Sequence, residues 1–503
     1  MPQAASTDSP SPLQRQSVWH TLRSPRLLKI EVLAGLVTAL ALIPESMAFA
    51  IIAGVDPRVG LFASVVMAMS IAVVGGRPAM VSGGAGATAL VIAPVMASHG
   101  LDYFIATVLM AGVLQVVLAL AGVARLMRFI PRSVMVGFVN GLAILIFSSQ
   151  FPELVGVPWL VYPLVALGLL VVFVLPRLTQ AVPAPFISIV LLTAVTACFA
   201  LAVPTVADRG ELPTSLPELF IPDVPLTWGT LQVIAPYALA MACVGLLESL
   251  MTAKLVDDIT DTGSDKTRES WGQGVANMLS SLTGGMGGCA MIGQTMINVK
   301  AAGARTRIST FCAGLFILIL VASLGEVVGM IPMAALVAIM VFVAFITFDW
   351  HSIAPETLKA MPKSETAVML LTTVTTVVTH NLAIGVGVGV LSAALLFAHR
   401  VSRFAAVTRE LITAERDRQR VHYSVQGQLF FASSNDLYYQ FSYADDPQEV
   451  VIDFSAAHLW DASTVAALDS VVRKYHDYGK SVQITGLNRA SEAMLSRLTG
   501  KLT

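Results

Sequence analysis

About fourteen apolar stretches fill the chain from roughly Leu27 to Arg400, seven between about 30 and 203 and seven more between about 230 and 400. A helix that crosses a bilayer takes roughly 20 such residues, so the region has room for roughly 12 to 15 spans. The pattern predicts a polytopic α-helical membrane protein. Charge agrees, because only 13% of the 503 residues are Asp, Glu, Lys or Arg, against about 25% in a soluble protein. Of those charged residues, 23 fall in the last 103 positions, a tail the size of one small domain. A formal net charge of -1 gives no case for a nucleic-acid partner.

Placing the N-terminus inside the cell leaves only Arg58 and Arg209 among the basic residues between spans on the outer side. The positive-inside rule then puts both termini in the cytoplasm. The expected organisation is a cytoplasmic segment over 1–26, a transmembrane domain over 27–400 and a cytoplasmic domain over 401–503. The run from Ile30 to Ala53 is too long for a signal-peptide core, so the N-terminus is expected to stay uncleaved. Cys198, Cys243, Cys289 and Cys312 lie in or beside apolar runs without the spacing of a metal or disulfide framework. They read as small buried hydrophobes. His99, His351, His380 and His399 sit at span ends, which argues against a histidine proton relay.

The two halves echo each other at an offset of about 203 residues, which sets Glu45-Ser46 against Glu248-Ser249. Each half holds an odd number of spans, so the repeats must be inverted. The third span of each half is short and Gly-rich, with Ser82-Gly83-Gly84-Ala85-Gly86-Ala87-Thr88 in one and Cys289 to Thr295 in the other. Unwound backbone in a membrane is tolerated only where it is buried in protein or lines a cavity. Both segments therefore read as an extended stretch followed by a helix that begins at mid-membrane, and inverted symmetry points the two helix N-termini at one pocket. Free amides and two positive dipole ends favour an anion there. Glu45 and Glu248 read as the only carboxylates deep within clear spans, and an intramembrane carboxylate is by default functional. Glu45, beside Pro44, is the favoured proton carrier.

At these residues the sequence resembles the sulfate permease family of anion transporters and exchangers. The resemblance rests on LVTALALIPESMAFAIIAGVDPRVGL (36 to 61), GRPAMVSGGAGATA, LLESLMTAKLVDD, GQGVANMLSSLTGG and NVKAAGARTRIS (298 to 309). A tail of the sulfate-transporter and anti-sigma-factor-antagonist type completes it. It implies two inverted seven-span repeats arranged as a core and a gate domain, a homodimer, and elevator-like alternating access in a bacterial plasma membrane. Carried over by position, the substrate site takes Ala85, Gly86, Ala87, Thr88, Glu248, Gly293, Gln294 and Thr295, with Glu45 coupling protons. Gln294 departs from the basic residue that many animal members carry in the tenth span. The expected function is proton-coupled symport of a small oxyanion: a dicarboxylate, sulfate or bicarbonate. A nucleobase or ascorbate permease of the same architecture is the nearest rival, and an anion channel or exchanger is another; the tail argues against the first.

Within the tail, Val421 to Phe431, Val450 to Phe454 and Val482 to Thr485 read as strands, and Ser463 to Tyr475 as an amphipathic helix. Ser463 matches the serine that related soluble anti-sigma antagonists have phosphorylated, which implies a regulatory protein partner. Asp461 or Ser463 serving simply as a helix cap is the competing reading.

Overall fold

The computed structural model describes residues 18–125, 130–178, 183–210, 217–225, 227–402, 405–414 and 418–501. Two compact units divide the chain, Met1–Val390 and Leu391–Thr503. The first opens with α1 (Val18–Arg23), α2 (Pro25–Ala53) and α3 (Pro57–Val74), and a two-residue strand β1 (Ser82–Gly83) then leads into α4 (Gly86–His99). Helices α5 (Leu101–Leu120), α6 (Arg132–Ser148), α7 (Val161–Leu178) and α8 (Ala184–Cys198) complete the first half. The second half repeats the order with α9 (Trp228–Thr260), α10 (Lys266–Leu282), β2 (Cys289–Ala290) and α11 (Ile292–Met296), which runs on as a π-helical turn over Ile297–Ala301. After these come α12 (Arg307–Gly329), α13 (Met333–Thr347), α14 (Pro355–Ala360), α15 (Lys363–Thr379) and α16 (Leu382–Ser402).

Local chemistry sets these boundaries. Proline stands in the first turn of α2 and of α3, where its missing N–H would have had no partner anyway. Gly54, at φ 77°, closes α2 in the left-handed region that glycine enters without strain. Among the described residues, seven helices are long and apolar enough to cross a membrane. At 1.5 Å per residue the 14-residue α4 reaches only about 21 Å, short of a hydrocarbon core of about 30 Å. The extended residues before it make up part of the difference.

Helices α2–α5 pack chiefly with α9–α12, and α6, α7, α8, α13 and α15 pack chiefly with one another. In the second group, Gly137 and Gly141 of α6 and Gly385 and Gly389 of α16 lie against Thr372 and Thr376 of α15, too close for a β-carbon at any of the four glycines. Small residues at these crossings let the backbones approach closely. Contacts between the groups run mainly through α2 with α13 and α8, and through α4 with α6.

The broken segments meet in the first group. Strands β1 and β2 pair antiparallel, Ser82 with Ala290 and Gly83 with Cys289, the orientation that inverted repeats require. Buried side chains bond further backbone groups in and beside these strands. Asn277 accepts from Gly288 N at 2.7 Å and donates to Gly288 O at 3.1 Å. Ser64 accepts from Gly84 N, Ser249 from Ala290 N and Thr295 from Val81 N, each at 3.0 Å. Asn298 donates to Ala79 O at 2.8 Å.

Among the described residues of the membrane unit, two carboxylates besides Glu45 and Glu248 are buried. Glu31 accepts the amides of Arg305, Thr306 and Ser309 at the start of α12. Glu269 accepts those of Gly76 and Arg77 just before β1. Both lie near span ends, where a carboxylate reads in sequence as solvated. Of the four cysteines expected to be buried, Cys289 is buried and Cys312 half-buried, whereas Cys198 and Cys243 are exposed on the helix surface. In a lipid-facing helix an apolar run does not separate inside from outside.

In the second unit, β3 (Ala406–Ala414), β4 (Arg418–Leu429), β5 (Glu449–Leu459) and β6 (Ser481–Thr485) form one sheet in that order, with β3/β4 antiparallel and the other pairs parallel. Helices α17 (Phe431–Leu437), α18 (Ala462–Asp477) and α19 (Arg489–Leu498) join it. The expected strand to Phe431 ends at Leu429, and β3, α17 and α19 were not anticipated. The buried Asp446 carboxylate accepts from Arg409 at 2.8 Å and from the hydroxyls of Tyr423 at 2.7 Å and Tyr475 at 2.5 Å. Burial, and then the bond to that carboxylate, push the Tyr475 hydroxyl far above its ordinary range.

Gly288 is the tightest point of the β1–β2 crossing, since a β-carbon there would lie 1.8 Å from Gly83 O. Gly288→Ala should therefore destabilise the membrane unit by at least the roughly 1–3 kcal/mol of an overpacked core. Thermal unfolding in detergent checks this, and an unchanged midpoint would contradict it.

Candidate functional site

A cavity of about 90 Å³ opens where α4 and α11 begin, between the two helix groups. Glu45 and Phe49 of α2, Ala85–Ala87, Glu248 of α9 and Met291–Gln294 line one side. Phe138 and Leu142 of α6 and Val343 of α13 are among the residues on the other. Glu45 and Glu248 are 8% and 9% exposed, and Gln294 is 2% exposed.

The polar end of this cavity is made of backbone. The first helical bond of α4 is Ala89 N to Ala85 O, and that of α11 is Thr295 N to Met291 O. The amides of Gly86, Ala87 and Thr88, and of Ile292, Gly293 and Gln294, precede those bonds and have no intrahelical acceptor. Ala85 and Met291 occupy the N-cap positions, and neither caps with its side chain. Two uncapped helix starts thus face one cavity with their positive dipole ends. Gln294 lies beside Glu45, yet its buried amide nitrogen has no hydrogen-bond partner among the described residues. No Lys or Arg lines the cavity among the described residues, so an anion placed there would meet amides and dipole ends rather than a fixed positive charge.

Of the residues singled out in the sequence, Glu45, Ala85, Gly86, Ala87, Glu248, Gly293 and Gln294 meet at this cavity. Thr88 and Thr295 lie in the same helix starts but serve the backbone instead. The Thr88 hydroxyl donates to Ala85 O at 3.0 Å, and that of Thr295 accepts from Val81 N. Sequence reasoning missed the walls from Phe49, Phe138, Leu142 and Val343, because a cavity-facing apolar residue has the same hydropathy as a lipid-facing one. It also missed Cys289, whose thiol donates to Glu248 Oε2 at 2.9 Å. In the second unit Ser463 is exposed in the first turn of α18, and the cap is Asp461, which accepts from Thr464 N at 3.0 Å.

Space around Gly293 differs from that around Gly86, the glycine in the first turn of the other broken helix. A β-carbon at Gly293 meets nothing within 4 Å, whereas one at Gly86 would stand 2.5 Å from the Phe49 ring. Gly293→Ala should keep the fold and the activity. Gly293→Leu, and likewise Ala87→Leu, should fill the cavity and abolish uptake while leaving the protein monodisperse. Wild-type uptake in either Leu variant would move the site elsewhere.

The chain matches the model of the sulfate permease family over residues 28–163 and 158–372 and that of the STAS domain over 411–500. It is 49% identical to the putative sulfate transporter YbaR of Bacillus subtilis, over 94% of this chain and 97% of that protein. To the bicarbonate transporter BicA of Picosynechococcus it is 23% identical, over 94% and 91% of the two chains. Among solved structures, the transmembrane domain of a cyanobacterial BicA superposes with a TM-score of 0.63 at 24% identity, covering 72% of this chain and 98% of that one. Murine Slc26a9, an anion transporter in the inward-facing state, superposes with a TM-score of 0.78 at 17% identity, covering 93% and 87%. With the broken segments leading into α4 and α11, its multi-pass apolar region and its STAS domain, the chain belongs to the sulfate permease family, whose members are transporters rather than enzymes.

Proposed function

We propose that the protein is a secondary active transporter of a small oxyanion, a dicarboxylate, sulfate or bicarbonate, moved together with a proton. One observation carries the reading: two uncapped helix N-termini and the Gln294 side-chain amide face one small cavity with no basic side chain among its described lining residues. Such a site binds negative charge through hydrogen bonds, and any oxyanion can accept them. The names of its relatives, a putative sulfate transporter and bicarbonate transporters, support the same substrate class. Ala85, Gly86, Ala87, Gly293 and Gln294 are the proposed binding residues. Thr88 and Thr295 belong with them as supports of the backbone. Glu248 forms part of the wall, and Glu45 carries the proton.

Transport follows from where the cavity lies. One wall belongs to α2–α5 and α9–α12 and the other to the α6 and α13 group, so movement of the first group against the second carries the site across the membrane in an elevator-like step. The tightly packed Gly and Thr surfaces of the second group suit it to the fixed role. Fourteen crossings, cytoplasmic termini, a bacterial plasma-membrane location and a homodimer complete the proposal. The STAS unit is proposed as a regulatory module in which the exposed Ser463 is modified and a regulatory protein docks.

Proteoliposomes test this directly. A gradient of one pH unit should drive up to about tenfold accumulation per proton carried. Glu45→Gln keeps the shape of the side chain but cannot ionise, so it should lose proton-driven accumulation while exchanging anion across the membrane. Unchanged proton-driven uptake would remove Glu45 from the mechanism, and passive equilibration in the wild type would identify a channel. Deleting the chain after about residue 403 should change the maximal rate with substrate affinity nearly intact; lost affinity with a folded membrane unit would bring the tail into the site.

A further inference from the structure

The two repeat-related glutamates are held differently, and the difference is one thiol. Ser46 and Ser249, the residues after them, do similar work: Ser249 accepts from Ala290 N, and Ser46 meets Ser64, which accepts from Gly84 N. The carboxylates themselves do not correspond. Glu45 lies beside the Gln294 amide, whereas Glu248 takes a hydrogen bond from Cys289 Sγ at 2.9 Å. Cys289 is fully buried in β2, and its partner in the β1 register is Gly83. The first repeat therefore has no side chain at the matching place.

We propose that Cys289 is a positioning residue for anion binding, its thiol tethering the Glu248 carboxylate to β2 so that the carboxylate does not compete for the site. The inference rests on the oxyanion reading above. Glu248 lines the cavity and, when ionised, is itself an oxyanion on a flexible stem. Released, it can turn its oxygens toward the same helix-start amides that a substrate uses, and its charge opposes a second anion nearby. A hydrogen bond to a charged acceptor is the means of holding it back. A serine at position 289 keeps a donor of similar size, and an alanine keeps only the packing.

Two measurements test the tether together on the full-length protein. The infrared S–H stretching band of Cys289, isolated as the difference between wild type and Cys289→Ala, should shift in Glu248→Gln, because the acceptor has lost its charge. In proteoliposomes loaded for uptake of labelled sulfate, bicarbonate or succinate, Cys289→Ala should raise KM about tenfold, the worth of one modest hydrogen bond, with little change in kcat. Cys289→Ser should restore KM, and adding Cys289→Ala to Glu248→Gln should change it no further. An S–H band indifferent to Glu248→Gln would overturn the pairing. A shifting band with unchanged KM in Cys289→Ala, or equal losses in Ala and Ser variants, would overturn the positioning role. If wild type accumulates none of the three anions while the band behaves as described, the oxyanion reading fails, and the role assigned to the thiol fails with it.

Discussion

Everything in the membrane unit depends on how two short pieces of unwound backbone are paired where water is absent. An orphan amide in hydrocarbon costs several kcal/mol, and a protein tolerates broken helices only if each group finds a partner. Here β1 and β2 satisfy part of the need by pairing with each other. Asn277, Ser64, Ser249, Thr295 and Asn298 satisfy more, each from a helix of the surrounding group. The amides in the first turns of α4 and α11 have no intrahelical acceptor, and these helix starts line the cavity.

That placement sets the chemistry of the proposed site. Backbone donors carry no net charge and do not titrate, so the proposed site would hold an anion less tightly than a guanidinium would. A carrier has to release its cargo on the far side, and a site of dipoles and amides with two carboxylates in its wall suits repeated loading and release. Glu45 and Glu248 occupy matching places in the two repeats but face different neighbours, an amide and a thiol. Inverted repeats thus supply the symmetric frame, and the residues at 289 and 294 break it.

Much of this was legible in the sequence, for physical reasons. Long apolar runs and their punctuation set the helices, and the short Gly-rich runs at matching places in the two repeats marked the broken ones. Glutamates at Glu45 and Glu248 stood out because a carboxylate in an apolar run demands an explanation. Glu31 and Glu269 did not, because they lie near charged loops and their burial comes from chain segments far away in sequence. The cavity walls on α6 and α13 were invisible since facing a cavity, a neighbouring helix or lipid calls for the same residues. Cys289 was misread for a related reason: a thiol in an apolar run packs as a hydrophobe until the fold sets a carboxylate 2.9 Å away.

The central claim is that the anion sits between the helix starts at residues 86–88 and 292–294. A structure of the protein with a heavy-atom analogue of its substrate, selenate for sulfate or a bromo-substituted acid for a carboxylate, locates it directly by anomalous scattering. The account predicts one peak within hydrogen-bond reach of those two sets of amides and of the Gln294 side chain. A peak anywhere else in the membrane unit, with this cavity empty, would contradict it.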